Sequence, residues 1–226
     1  METLTTYMAA FGIAAGAGAK AFIPILALGV FSYTQYFELS ARFAWIADPL
    51  VMVVLAVLIV VEIVVDAHPD LGRFSDVAAY LPKVVAGFIA FAAVTGKLDE
   101  DLVQLGTSGV LGGGTAAGVH WIRNQIRRPF RDLAEDAHES IGKLASLGEA
   151  GASATLSGTA MVAPPLSALA AVGLVAVAVS TTRAADRKRV ACAECGKPIR
   201  PGALVCPHCR TDQDSGGGAG ETSAKI

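Results

Sequence analysis

Four cysteines stand in two Cys-x2-Cys pairs, Cys192 with Cys195 and Cys206 with Cys209, with ten residues between the pairs. Each pair can bring two thiolates to one ion, and two pairs complete a tetrahedral shell, the pattern of a structural zinc site. One zinc ion held by these four residues is therefore expected. A closed shell leaves no position for substrate, and about twenty residues cannot bury a useful core, so the metal should fold the module. A redox pair is the alternative, but two such pairs occur together without a thioredoxin-like context. His208, inside the second knuckle, is expected to be exposed. Metal-binding thiolates need a reducing compartment, which places the C-terminus in the cytoplasm.

A second set of reactive groups lies in long apolar runs: Lys20, Glu62, Asp66, Lys83 and His120. A charge at the centre of a bilayer costs about 2.5–3.5 kcal/mol, so such groups face the interior and have partners. Glu62 and Asp66 are four apart and share a helical face. At a helix C-terminus they oppose the dipole and call for cations, with Lys20, Lys83 and Arg73 available. Lys20, Glu62, Asp66 and His120 are the candidate polar membrane site. Interfacial positions are the alternative for Glu62 and Asp66. Lys83 can equally mark the start of its segment, and His120 can be an anchor beside Trp121 and Arg123. The stretch "DAHPD" places Asp66, His68 and Asp70 within five residues, an awkward geometry for a metal. No nucleophile elbow, phosphate loop or HExxH helix occurs, so no enzyme is expected.

These groups need elements to hold them. The chain has 226 residues, of which 53% are hydrophobic and 17% charged; soluble domains carry about a quarter charged residues. About five hydrophobic segments stand out: Tyr7–Tyr33, Pro49–Val65, about Val77–Thr95, Leu102–Ile122 and Ala150–Thr182. A transmembrane helix needs about 20 apolar residues. The expected fold is an all-α polytopic membrane protein with glycine-rich, re-entrant helices, a weak internal repeat and a small C-terminal zinc ribbon. Residues 1–183 form the membrane domain, 184–190 a basic linker, 191–210 the ribbon and 211–226 a disordered tail. Glu2 is the only charge before Lys20, so a cleavable signal peptide is not expected.

Between the fourth and fifth segments, Phe130, Leu133, Ala137, Ile141 and Leu144 share one helical face. Pro129 suits the first turn of a surface helix and Gly148 its stop. Orientation is harder. In a five-crossing arrangement Arg73, Arg123, Arg127, Arg128, Arg131 and Lys143 balance Arg42, Lys97, Arg183, Arg187, Lys188 and Arg189, so the positive-inside rule is tied. A helical hairpin over 150–182, bent at Pro164–Pro165, would put both basic clusters on the cytoplasmic side.

Gly16, Gly18, Gly114 and Gly118 are expected to let helices pack closely. Residues 15–22, "AGAGAKAF", also echo 115–122, "TAAGVHWI": small residues, a glycine, a basic group, then apolar residues. Glycines of this kind can instead loosen helices around a mid-membrane site.

At these residues the chain resembles a bacterial family of small integral membrane proteins, the domain of unknown function 4126. Its early Gly-x-(Arg/Lys)-Ala-Phe-x-Pro pattern matches Gly18, Lys20, Ala21, Phe22 and Pro24. Its acidic pair and proline match Glu62, Asp66 and Pro69. Its Gly-Gly stretch leading to a histidine and a basic residue matches Gly113, Gly114, His120 and Arg123. The resemblance covers residues 8 to 182 and implies an inner-membrane protein but no activity. The chain departs later, where only Glu149 stands for an acidic pair.

Two functions follow as expectations. One is a small transporter or channel-like protein with a polar site between glycine-rich helices. The other is a membrane scaffold whose cytoplasmic ribbon docks a protein partner. Both are multi-pass proteins of the inner membrane with the lipid bilayer as partner. A homo-oligomer is compatible with either; nucleic acid is not an expected partner.

Overall fold

The computed structural model describes residues 2–67, 78–96, 106–134, 140–187, 189–199 and 203–212. The chain divides into two compact units, Met1–Val179 and Ser180–Ile226. In chain order the helices are α1 (Glu2–Ala19), α2 (Phe22–Phe31), α3 (Pro49–Ala67), α4 (Tyr80–Thr95), α5 (Gly114–Ala134), α6 (Ser140–Val162) and α7 (Pro164–Arg187). A 3-10 turn, Ala41–Ala47, precedes α3, and a π-helical segment, Gly109–Gly113, leads into α5.

The apolar run over Tyr7–Tyr33 is not one helix. Its ladder ends where Lys20 N–H donates to the Gly16 carbonyl at 3.1 Å, and α2 starts after Ala21. Pro24 explains the position. In an unbroken helix its ring would collide with the carbonyl four residues back, that of Lys20, and it has no N–H to offer. The chain folds back there. A Cβ on Gly16 would lie 3.3 Å from Pro24 Cγ, whereas eight residues of straight helix span about 12 Å.

α3 has the Val/Leu-rich sequence of a lipid-facing helix. It is 19 residues long with mean hydropathy 2.9 and only 11% buried, and Leu50, Val53, Val57, Val60 and Val64 are exposed along it. Among the described residues it is the one helix long and apolar enough to cross a membrane. A helix apolar all round belongs in a core or in lipid, and this one is not in the core.

The core forms around α1, whose buried face is nearly all small: Ala10, Ile13, Ala14, Ala17. Small residues let α4, α5 and α6 approach its backbone. A Cβ on Gly18 would lie 2.5 Å from Val119 Cβ and 2.6 Å from the Ala116 carbonyl. The two echoing stretches therefore cross each other. Gly16 is similarly tight, 2.9 Å from Ser157 Oγ. Gly114 and Gly118 do not share this role, because a Cβ on either meets nothing within 4 Å. The close approach on that side is made just before Gly114: a Cβ on Gly112 would meet the Gly87 carbonyl and Phe91, and one on Gly113 would lie 3.0 Å from Val84 Cγ1. The helix phase set by the π segment turns Gly114 outward.

The surface helix expected from Pro129 to Gly148 is also differently divided. Pro129 lies inside α5 and Gly148 inside α6, with residues 135–139 outside those described. Buried His120, Arg123 and Asn124 anchor α5 just upstream, so the helix runs through the proline at the loss of one backbone bond. The fifth apolar stretch breaks at Ala163, where Pro164 and Pro165 open α7. Of the tail expected over 211–226, Thr211 and Asp212 belong to the described C-terminal unit, where Asp212 pairs with Val205, and 213–226 lie outside the described residues.

Helix packing gives this unit two poles. Lys20, the last turn of α3 and the first turn of α4 meet at one. At the other, Thr5, Thr6, Tyr36, Phe37, Val94 and Met161 line a cavity of about 190 Å³.

Replacing Gly18 with valine should force α1 and α5 apart at a backbone carbonyl that cannot move aside. Overpacking of this kind costs about 1–3 kcal/mol. Gly118→Ala should be neutral or slightly stabilising, since alanine is the better helix former. Thermal unfolding in detergent tests the pair: a lower midpoint is expected for Gly18→Val alone, and equal losses would contradict the packing.

Candidate functional site: a charged cluster at the helix break

Breaking a helix frees backbone groups, which in a buried place must find other partners. Here they find charged side chains. Ala21 N–H donates to both oxygens of Glu62, at 3.0 and 3.1 Å. The Ala19 carbonyl accepts from Lys83 Nζ at 3.1 Å. The Gly16 carbonyl, already ending the ladder, also accepts from Ser153 Oγ at 2.9 Å. Glu62 thus sits at the N-terminus of α2, where a helix dipole favours an anion.

The remaining charges close around Lys20. Its ammonium, fully buried, donates to Asp66 Oδ2 at 2.6 Å and to Ser146 Oγ at 3.0 Å. Ser146 in turn donates to the Ile63 carbonyl at 3.1 Å. The same Asp66 oxygen accepts from Arg123 Nη2 at 2.6 Å, and that nitrogen reaches Glu149 Oε2 at 2.7 Å. Lys20 lies 4.0 Å from Glu149 and Lys83 3.9 Å from Glu62. Lys20, Lys83 and Arg123 face Glu62, Asp66 and Glu149, so the formal charges cancel.

His120, also fully buried, completes the site. Its Nδ1 is 3.0 Å from Lys83 Nζ. An ammonium only donates, so Nδ1 accepts and the ring proton sits on Nε2. Nε2 lies 3.3 Å from the Asn124 amide. An N–H there requires the amide oxygen to face the ring, and that orientation gives the buried Oδ1 of Asn124 a donor. Tyr80 packs edge-on to the imidazole, with centroids 4.4 Å apart.

The structure brings Lys20, Glu62, Asp66 and His120 to one place, and adds Lys83, Arg123, Ser146 and Glu149. Lys83 was readable as a helix start, which it is; its role needed the third dimension. Glu149 carried a signal, as the acidic residue that the family pattern would place there. Arg123 carried one as the basic residue three after His120. Ser146 carried none. His68, Pro69, Asp70 and Arg73 lie outside the described residues. The carboxylates here are taken by cations; among the described residues, only the cysteines gather three or more metal-binding side chains.

The C-terminal unit is built separately. Its two knuckles repeat one geometry. Gly196 N–H donates to the Cys192 carbonyl at 2.9 Å, and Arg210 N–H to the Cys206 carbonyl at 2.8 Å. Both residues take positive φ, 68° and 59°, which glycine accepts and arginine adopts against a steric cost of about 1–2 kcal/mol. β1 (Val190–Ala191) pairs antiparallel with β2 (Pro198–Ile199). The four sulfurs lie within 4.8 Å of one another. Cys192 is 3.7 Å from Cys209, and Cys195 is 3.7 Å from Cys206. A tetrahedron with metal–sulfur bonds of about 2.3 Å has edges of about 3.8 Å, so the four residues fit such an ion. Hydrogen bonds from the Thr211 side chain and backbone hold the Cys209 thiol down to about 6, favouring the thiolate a metal needs. His208 is exposed.

The family model described as Domain of unknown function (DUF4126) matches residues 7–184. Curated proteins and solved structures give no significant match.

Two expectations come from this geometry. Asp66→Leu should strand Lys20, whose next carboxylate is Glu149 at 4.0 Å, leave Arg123 on Glu149 alone, and cost about 3–5 kcal/mol, as for other broken buried pairs. Lys20→Met should cost less, since Asp66 keeps Arg123; denaturation of both variants in detergent checks the order. Elemental analysis should find one metal ion per chain, lost in Cys195→Ser and released by acid as the thiolates protonate. Unchanged metal content in that variant would defeat the four-sulfur site.

Proposed function

We propose a role for this chain, which belongs to the DUF4126 family, from its broken helix and the charges that complete it. The chain is a multi-pass protein of the cytoplasmic membrane and a small transporter or channel-like protein, not an enzyme. Its polar site is the cluster of Lys20, Glu62, Asp66 and His120 with Lys83, Arg123 and Glu149. The observation that carries this reading is the fold-back at Lys20, with Ala21 N–H on Glu62 and the Ala19 carbonyl on Lys83. Discontinuous helices whose free backbone ends meet ionic groups are how transporters build substrate and ion sites. Intramembrane charges are by default functional.

The fold-back also supports an orientation. With both ends of the first apolar run at the pole opposite the charges, the charged pole holds Arg123 and Lys143, with Arg127, Arg128 and Arg131 further along α5. Arg42 falls to the opposite pole. α7 starts near that opposite pole, where Pro164 lines the cavity. Among the described residues of this unit, basic groups then gather at the charged pole, and the positive-inside rule favours a cytoplasmic charged pole. The helical bend at Pro164–Pro165 is part of this topology. The ribbon lies in the cytoplasm, where thiols stay reduced, and its metal is zinc.

A scaffold is the second reading, favoured by one observation: the three cations and three carboxylates pair among themselves. In that case the cluster is a dry lock, and the ribbon docks a cytoplasmic protein.

Single cysteines at Ala19 and Val119, both buried beside the cluster, separate the two when the ribbon cysteines are replaced. Labelling by a membrane-impermeant thiol reagent is expected at both positions if the cluster lines a water-reached path. Silence from both sides, in folded protein, would leave the scaffold.

A further inference from the structure

We infer that the transport site takes up a proton at His120, and that this proton releases Lys83 from the helix break. The inference rests on the transport reading and names its coupling ion. Lys83 is the joint. One ammonium donates to the Ala19 carbonyl at 3.1 Å and to His120 Nδ1 at 3.0 Å, with Glu62 Oε1 at 3.9 Å. These two acceptors take two of its three protons, and Glu62 stands as an ion partner just beyond hydrogen-bond distance.

The arrangement works only with neutral imidazole. A proton arriving from water binds the Nδ1 lone pair and turns that acceptor into a donor facing an ammonium 3.0 Å away. No bond elsewhere breaks and no co-reactant is needed; the site gains one positive charge. Lys83 then loses an acceptor and meets a like charge at contact distance. Glu62 is the carboxylate within reach, so Lys83 moves onto it, leaving the Ala19 carbonyl without its donor. Glu62 turned toward Lys83 in turn loosens its hold on Ala21 N–H.

Every charged element around His120 points the same way. Lys83 and Tyr80 come from α4, Arg123 and Asn124 from α5, Lys20 from the break, Glu62 and Asp66 from α3, and Glu149 from α6. Asp66 and Glu149 are held by Arg123 and Lys20. The cluster is neutral before the proton arrives. One added charge in so buried a place is relieved by admitting water or a counter-ion, which ties protonation to opening at the break. Histidine is the side chain whose charge changes near neutral pH.

Hydrogen exchange of the full chain in lipid nanodiscs tests this on the amides of Lys20 and Ala21, corrected for the chemical effect of pH. Exchange at these amides should accelerate by about tenfold between about pH 8 and about pH 5.5. In His120→Gln, whose carbonyl accepts from Lys83 but takes no proton, exchange should not respond to pH. The same acceleration in that variant would assign the proton to Glu62 and overturn the inference. Fast exchange independent of pH would also overturn it, while leaving a water-reached site and the transport reading intact. Slow exchange at both pH values in both proteins would end both. Imidazole nitrogen NMR of the unaltered protein is the second readout: His120 protonated at the lower pH without faster exchange also overturns the inference.

Discussion

The fold depends on a broken backbone completed by side chains. Pro24 forbids the helix from continuing through Lys20, and Gly16 and Gly18 let neighbouring helices reach the broken end. What arrives there is ionic: Glu62 on the Ala21 amide and Lys83 on the Ala19 carbonyl. A free amide and a free carbonyl buried without partners would cost about 1–3 kcal/mol each. The charges are therefore required by the break, and the break gives the charges something to bind. Neither half is stable without the other.

Magnitudes explain why the cluster is so completely paired. Six ionised groups placed singly in a bilayer would cost about 15–20 kcal/mol on insertion scales, more than the net stability of a domain. Asp66 meets this by serving two cations with one oxygen, and Arg123 by spanning two carboxylates. A network so closely balanced tolerates no change of protonation without rearrangement. That property suits a switch as well as a lock, and in the proposed reading His120 is the member that decides between them.

Much of this was legible in residue types and spacing. Lys20 stood out because the chain is uncharged from Thr3 to Ala19 and from Ala21 to Phe37. The cysteine pairs announced their four-sulfur geometry, and the Val/Leu run of α3 announced a helix long and apolar enough to cross a membrane. The fold-back was not legible, although Pro24 was in view, because a proline kinks some helices and reverses others; only contact with Gly16 distinguishes them. Gly114 and Gly118 misled because spacing reports a shared helical face but not which way that face points. Pro129 misled because tertiary anchoring by His120 and Arg123 outweighed a local signal. Glu149 looked like a remnant until Arg123 was found beside it.

The most direct test of the fold-back is a distance between nitroxide labels at Leu4 and Val30, both exposed. They lie on either side of the break. An unbroken helix would hold those positions about 39 Å apart along its axis. The chain folded back at Lys20 brings them within about 25 Å, since Gly16 and Pro24 touch and α1 extends only a few turns further than α2. A pulsed-dipolar distribution centred below that value is the predicted result. One centred near the unbroken length would contradict the account at its root, since Glu62 and Lys83 would then have no break to complete.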